Sequence, residues 1–540
     1  MKIKTRVVRG YAYGFPQPCL LVAFDEKWRE GSLAVDRLFE HVSSTSSRHV
    51  SMFALDPGYH DELQQTSAGR FTLLLDQLNT SCGDQRFSSI RSTQPWAVEE
   101  EVFFCLAVPS LAPMLVRENI EALVAFASEL RGNDETLDWD AFCSRRATRA
   151  RAFLPGGTNA GNFIAAAVER NIPYFQFSPQ LILLGYGSGT RVLNSSVTDK
   201  ESVIGFEIAN NKRLTNRLLR LAGFPVARQA VVSTREQVIV QAEAIGYPLV
   251  LKPATAEQGH GVVANLSNRE QLQNAFEALS KTRNDLVLEA FVPGKLFRIN
   301  VFDGNIMRVA ERIPAMIVGD GRHTVSQLIE ALNSESDRGG RNSTKHRLVI
   351  DADVHATLER QGLRLESMPE HGLNIALTSL ARVNNGGTAR DARADFHHEN
   401  LKMLKEATET VGLQMAGIDF LCVDPAKPWY ETGAVICEIN SKPQLGVSHP
   451  EIYGQVIDML GVGCPPVRLL VSNEFTEMEA PIFNRGLKRI ELRASPDHLL
   501  RHGLPTQYCS EIEHLGDVTE DQVRRLDDFF GLAVHSRADL

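Results

Sequence analysis

The chain has 540 residues, 43% hydrophobic and 23% charged, with a formal net charge of −9. That length exceeds a single hydrophobic core and points to several domains of ordinary water-soluble composition. An acidic balance, with basic residues clustered only in the short run from Ser144 to Phe153, excludes a general nucleic-acid binder.

The eight cysteines are scattered with no CxxC pair, which fits reduced thiols better than a disulfide framework or a zinc site. The N-terminus lacks the apolar core of a signal peptide, and no run approaches 18 apolar residues. A cytoplasmic protein without a membrane partner is therefore expected. Residues 1–155 read as an N-terminal α/β domain, with strands at "CLLVAF", "FTLLL" and "EVFFCLAV" and a helix around Val116 to Leu130. They carry no catalytic constellation, and substrate binding is the role expected of them. In the next segment, 156–225, the "GGTNAG" run lacks the Lys-Ser/Thr of a phosphate loop and reads as a turn opening a helix. An amphipathic helix follows near Lys212, its expected stripe formed by Leu214, Leu218 and Leu221 and its end marked by Gly223 and Pro225.

Residues 226–295 alternate strand, helix, strand, glycine turn, strand, helix and strand, an α+β layer suited to covering a ligand. From 296 to 474 the pattern continues with a hairpin turning at Asp303-Gly304, the helices "TVSQLIEALN" and "ENLKMLKEATETVG", and a second hairpin. Residues 475–540 read as a small C-terminal appendage. The fold class is α/β (α+β).

The second hairpin, "AGIDFLCVDPAKPWYETGAVICEIN" from Ala416 to Asn440, carries the strongest chemical signal. Symmetric pairing about a loop from Asp424 to Gly433 sets Asp419 opposite Glu438, about 5 Å apart. Asn440 shares the face of Glu438 through the period of two. Two carboxylates and a carboxamide at that spacing suit a Mg²⁺ that retains open positions for phosphates; the same residues also fit a polar sheet rim. Lys252 ends a β-branched strand before Gly259 and Gly261, whose backbone lets N–H groups approach an anion. This is a phosphate clamp, or a surface lysine before a tight turn. Glu289 opens a connector, Ala290, Phe291 and Val292, able to hydrogen-bond an adenine. Arg312 is a permanent cation suited to charge on a transferring phosphoryl group or to a surface salt bridge.

In this order, with the flanking text "GYGSGTR", "TDKESVIGFEIANNK", "GDGRHTVSQLIEALN" and "NNGGTARDARADFHHEN", the residues resemble the ATP-grasp superfamily, and within it the ATP-grasp half of cyanophycin synthetases. The resemblance runs from about Ala166 to Pro450. The segment "EINSKPQLGVSHP" also resembles amino-acid ligases of the glutathione and acetylglutaminylglutamine synthetase kind. The resemblance implies an ATP-grasp fold and an ATP-dependent carboxylate–amine ligase working through an acyl phosphate on amino-acid or small peptide substrates. It implies ATP and two Mg²⁺ ions, with Mn²⁺ as an alternative ion, and a homo-oligomeric dimer or tetramer. By position, Lys212 and Lys252 would contact the α and β phosphates. Glu257, Gln258, Gly259, His260, Gly261 and Val262 would close over the γ-phosphate. Asp419, Glu438 and Asn440 would hold metal, Arg312 would steady the transferred group, and Arg298 with Asn385, Gly386 and Gly387 would bind a substrate carboxylate.

The pattern departs from cyanophycin synthetases at several points. Leu296 stands where an acid precedes the matched arginine by two residues, and cannot accept a hydrogen bond from ribose. Gln258 and His260 replace a His and an Arg, and Gln444 and Gly446 replace a Gly and an Arg at the acyl-substrate end. No Mur-ligase-like domain with a GxGKT loop follows Pro450. A single kind of bond in a small peptide or amide is therefore expected. The alternatives are a nucleotide-binding regulatory protein that has lost ligase chemistry, a cyanophycin-type peptide synthetase, and a phosphotransferase without amine capture.

Overall fold

The computed structural model describes residues 3–12, 15–28, 32–45, 65–84, 88, 90–92, 102–129, 138–253, 261–283, 286–335, 338, 345–379, 381, 383–446, 449–476, 478, 480–507 and 509–530. It divides into two compact units, one of Met1–Ser195 with Tyr453–Leu540 and one of Ser196–Ile452. Among the described residues no helix is long and apolar enough to cross a membrane.

In the first unit, the strands Ile3–Val8, Cys19–Asp25, Val102–Pro109 and Arg91–Ser92 form an antiparallel sheet. Its one face packs on the helices Ser67–Ser81, Pro113–Glu129 and Trp139–Ala150 through Phe24, Phe71, Leu115 and Trp139. The "FTLLL" run, expected as a strand, lies inside the first of these helices. Thr66 caps that helix by accepting from the Gly69 N–H, and a continuous apolar run serves a buried helix as well as a strand. The expected boundary between 474 and 475 also falls differently. The strand Val467–Val471 pairs in parallel with both Ile490–Ala494 and Glu511–His514. Their core residues, Leu469, Ile490 and Leu492, cluster with Val8, Phe15 and Leu21. The described residues between 475 and 530 thus complete a core begun at the N-terminus. Likewise the expected 156–225 segment is divided at Ser195.

The second unit contains three layers of its own. The strands Val263–Leu266, Leu249–Pro253, Leu286–Ala290 and Gln229–Val232 make a four-stranded antiparallel sheet covered by the helices Arg235–Ile245 and Arg269–Ser280. A five-stranded antiparallel sheet runs Thr388–Asp391, Asn305–Ile313, Lys295–Phe302, Met415–Cys422, Val435–Asn440. The first hairpin turns at Asp303-Gly304 as expected, both residues at positive φ. A small sheet of Met316–Val318 and Asn374–Ala376 packs with the helices Val325–Asn333 and Ala352–Arg360.

The five-stranded sheet is two-faced. Phe297, Ile299, Val309, Ile418, Phe420 and Ile439 point into a core against the helix His398–Val411 and the helices Val203–Ala209 and Lys212–Leu221. Strand period then puts Arg298, Arg308, Arg312, Asp419, Glu438 and Asn440 on the other face. The helix at Lys212 begins there because the Asn211 side chain accepts from the Arg213 and Leu214 N–H groups. Its buried positions are Thr215 and Leu219; of the expected stripe Leu218 packs against the core, whereas Leu214 is 48% and Leu221 79% exposed. The stripe was drawn one residue out of phase with the core, because Thr215 buries its hydroxyl on the Ile208 carbonyl.

Helix Val203–Ala209 reaches the end of helix His398–Val411 by close backbone approach. A Cβ at Gly205 would stand 2.8 Å from the Gly412 carbonyl carbon. Gly205→Val should therefore lower stability by about 1–3 kcal/mol, read as a lower urea midpoint. An unchanged midpoint would contradict the contact.

Candidate active site

The hairpin that opens the site follows the expected pairing, with one local departure. Asp419 pairs with Glu438 and Gly417 with Asn440, whereas Phe420 pairs with Ile436, so Cys437 is a bulged extra residue. The loop also holds a short helix, Trp429–Thr432. The bulge absorbs the offset between the two pairings, and the carboxylates remain cross-strand neighbours.

Each carboxylate has a cation. Arg298, registered opposite Asp419 from the neighbouring strand, sets its Nε 3.0 Å from Asp419 Oδ1. Lys212 Nζ lies 3.5 Å from Glu438 Oε2. The Gly417 carbonyl accepts from Arg298 Nη1 at 3.3 Å and from Asn440 Nδ2 at 3.1 Å. Asp419 and Glu438 keep 19% and 28% of their side-chain surface exposed, so a ligand can reach both. In the four-stranded sheet, Lys252 pairs with Glu289, both side chains largely buried. Burial pulls the Lys252 ammonium down, but Glu289, reinforced by Cys437 and Glu438, outweighs this and holds its pKa above the usual lysine value. Burial pushes the Cys437 thiol far up, and the charges that bear on it are those of Glu289, Lys252, Asp419 and Glu438. The two sheets therefore bring their charged ends together around one residue.

Arg312 differs from its neighbours. Among the described residues it makes no hydrogen bond or ion pair, and its Nε is buried. Burial, with Arg298 and Arg308 beside it and only Asp419 opposing, lowers its pKa from the usual arginine value to about 10. It stays protonated at neutral pH, a buried cation opposed by one carboxylate and crowded by two other arginines.

Of the other expected residues, Gly261 adopts φ +73 with Pro253 packed against it. Val262 follows it, while Glu257, Gln258, Gly259 and His260 lie outside the described residues. In the connector, the Ala290 and Phe291 N–H groups already donate to the Arg228 and Pro248 carbonyls. Only carbonyl groups and Val292 remain there for an adenine ring. Asn385, Gly386 and Gly387 are buried. The Asn385 amide oxygen accepts from the Val349 N–H, its Nδ2 donates to Asp351, and the Gly386 carbonyl accepts from Arg338. This segment helps to hold the small sheet and its loop together. Leu296 sits in register with Arg312 and Leu421.

Two side chains on this face were not among the expected set, Asn300 and Arg308. They are registered opposite each other. The signal was present as period-two spacing, Arg298-x-Asn300 and Arg308-x-x-x-Arg312, within runs that otherwise read as apolar strands. Among the described residues no group of three or more His, Cys, Asp or Glu is placed to hold a metal. What the hairpin offers is two carboxylates and one carboxamide, a hard-oxygen set of the kind Mg²⁺ accepts when phosphates and water complete it.

A family model described as an ATP-grasp domain matches residues 209–296. The chain is similar to cyanophycin synthetase from Trichormus variabilis, 32% identical over 314 residues that cover 56% of this chain and 35% of that protein. It is also similar to the glutathione biosynthesis bifunctional protein GshAB of Pasteurella multocida, 26% identical over 49% of this chain and 36% of that protein. It thus spans about a third of the length of these curated relatives. Among solved structures, a bifunctional glutathione synthetase from Pasteurella multocida aligns at 21% identity and a TM-score of 0.44, over 64% of this chain and 51% of that one.

The state of Arg312 has a measurable consequence. Its folded pKa lies below the unfolded value, so the folded protein resists this charge at every pH below about 10. That penalty fades as pH rises above about 10 towards the ordinary arginine range. Arg312→Met should stabilise the ligand-free protein at pH 7 by about 1 kcal/mol or more. The gain should shrink above pH 10. A variant less stable than the native chain at pH 7 would show that the guanidinium is compensated.

Proposed function

Because the chain carries an ATP-grasp domain and is similar to cyanophycin synthetases over about half its length, we propose that it is an ATP-dependent ligase. It would join the carboxylate of one amino acid or small peptide to an amine. The observation that carries this reading is the arrangement on one sheet face: Asp419 and Glu438 opposite each other, each beside a cation, with the buried Arg312 opposed by Asp419 and making no ion pair among the described residues.

Lys212 and Lys252 are the phosphate-binding cations in this reading. Lys212 rests on Glu438, and Lys252 is held charged and in place by Glu289. Asp419, Glu438 and Asn440 would hold Mg²⁺, which when bound supplies positive charge that screens the phosphates from an incoming carboxylate. Arg298 orients Asp419 through their ion pair. The substrate carboxylate attacks the γ-phosphorus of ATP, the bond to the β-phosphate oxygen breaks, and ADP leaves. Arg312 lies where charge on the transferring phosphoryl group and on the acyl phosphate would complete its electrostatics. The amine then attacks the acyl carbon, loses a proton and expels inorganic phosphate. Arg298, Arg308 and Arg312 together favour an anionic acyl donor. Amino acids or short peptides supply such a carboxylate, and Leu296, Gln444 and Gly446 support a small product over a poly-aspartate backbone.

The test is a screen of amino-acid and peptide pairs for ADP release, with hydroxylamine added to trap an acyl phosphate as a hydroxamate. The pair that supports turnover should yield a hydroxamate in the absence of amine. Asp419→Asn and Glu438→Gln should each lower turnover by about a hundredfold or more while remaining folded. Near-native turnover in both variants would overturn the assignment of this face. ATP binding without ADP release for any pair would favour a regulatory nucleotide-binding protein instead.

A further inference from the structure

One row of paired residues crosses the charged face of the five-stranded sheet from edge to edge. Glu438 is registered opposite Asp419, Asp419 opposite Arg298, Arg298 opposite Ala310, and Ala310 opposite Asp391 on the edge strand Thr388–Asp391. Directly opposed residues point to the same face. Asp391 therefore shares the face of the metal carboxylates, three strands from Asp419, about 14 Å at the backbone. It differs from both of them. Asp419 has Arg298 at 3.0 Å and Glu438 has Lys212 at 3.5 Å. Among the described residues no lysine or arginine side chain pairs with the Asp391 carboxylate, and the side chain is 61% exposed. The nearest arginines in sequence are engaged elsewhere. Arg390 points to the opposite face, where Glu311 and Asp395 hold it, and Arg393 Nη1 donates to the Ile306 carbonyl. What Asp391 meets is the Arg393 N–H, which donates to Oδ1 at 2.9 Å, and His449, whose Nε2 lies 4.0 Å from Oδ2. His449 belongs to the segment that leaves the metal hairpin after Asn440. That segment passes Gly417 at Pro443 and Arg308 at Leu445 and Gly446, so it crosses the face towards the Asp391 end of the row.

We propose that Asp391 forms the amine subsite, binding the ammonium of the incoming nucleophile at the end of the face away from the metal hairpin. Electrostatics select the place. An ammonium is repelled by Mg²⁺ at the hairpin and by Arg298, Arg308 and Arg312 on the middle strands. Asp419 and Glu438 each already have a cation. Asp391 is an accessible carboxylate on the same face that no protein cation neutralises, and a substrate ammonium meets it through a charge-assisted hydrogen bond. The row then follows the order of the reaction: metal and nucleotide at Glu438 and Asp419, acyl phosphate at the arginines, amine at Asp391. As the C–N bond forms, the bond from the acyl carbon to the phosphate oxygen breaks and its electron pair leaves with phosphate. The ammonium nitrogen gives up two protons, one ending on inorganic phosphate and the other in solvent. The nucleophile is accordingly a primary ammonium, as an amino acid or a peptide N-terminus presents. This deepens the ligase reading and rests on it.

The experiment compares two kinds of nucleophile on the full chain, using the acid that elicits ADP release. Hydroxylamine is uncharged at neutral pH, whereas the common amino acids, tested in turn, arrive as ammonium ions. Asp391→Asn keeps an oxygen to accept from the Arg393 N–H and removes the charge alone. It should raise the KM for the amino acid and lower the ratio of amino-acid coupling to hydroxamate formation. The expected fall is about tenfold to a hundredfold, the worth of a hydrogen bond to a charged group. Asp391→Glu, which keeps the charge, should recover part of the ratio. Asp391→Ser, whose hydroxyl also holds such a turn, carries the same test where Asn does not fold. A purely structural role would lower both reactions together. Parallel loss of both, an unchanged ratio, or hydroxamate formation by a native chain that couples no amino acid would each overturn the proposal. No ADP release and no hydroxamate from the native chain with any acid would instead overturn the ligase reading on which it rests.

Discussion

The site depends on one constraint, the two-faced register of the five-stranded sheet. Phe297, Ile299, Ile418, Phe420 and Ile439 bury one face, and the strand period leaves their alternate neighbours no choice of side. Slipping any strand by one residue would expose those aromatic and branched side chains and drive Arg298, Asp419 or Glu438 into the core. Hydrophobic burial thus holds the charged groups in place. The ion pairs do not. Exposed or half-exposed pairs such as Lys212–Glu438 add little to stability, and Arg312 subtracts from it.

That division of labour explains why the charged face tolerates an electrostatic arrangement no structural interior would choose. Three arginines and a buried, unpaired asparagine share the centre of the face with one aspartate. Lys252 is the opposite case, a buried cation kept charged by Glu289 beneath it. The Lys252 end of the site is therefore neutralised within the protein, and the surroundings of Arg312 keep an excess of positive charge.

Much of this was legible in the sequence. The opposition of Asp419 and Glu438 followed from turn residues and alternation alone, because hairpin register is a local property. The bulge at Cys437 was not legible, since an extra residue leaves the same apolar pattern on both sides of it. The stripe on the Lys212 helix was misread because Thr215 looks polar until its hydroxyl finds the Ile208 carbonyl. Asn300 and Arg308 were hidden in strands that read as apolar, and only the pairing of two strands makes them neighbours. At Asn385 the conspicuous "NGG" gave no hint that its carboxamide also ties the segment to Val349 and Asp351. The joining of 467–530 to the N-terminal core rests on long-range packing, which no local pattern encodes.

The central claim is that a carboxylate accepts the phosphoryl group on this face, and isotope transfer tests it most directly. The acid that elicits ADP release would be supplied with both carboxyl oxygens as ¹⁸O, and the inorganic phosphate formed during amide synthesis would be analysed by mass. Acyl-phosphate chemistry predicts one ¹⁸O delivered to each phosphate released. Unlabelled phosphate, with ADP formed at the same rate, would mean that water attacks ATP directly and would contradict the claim.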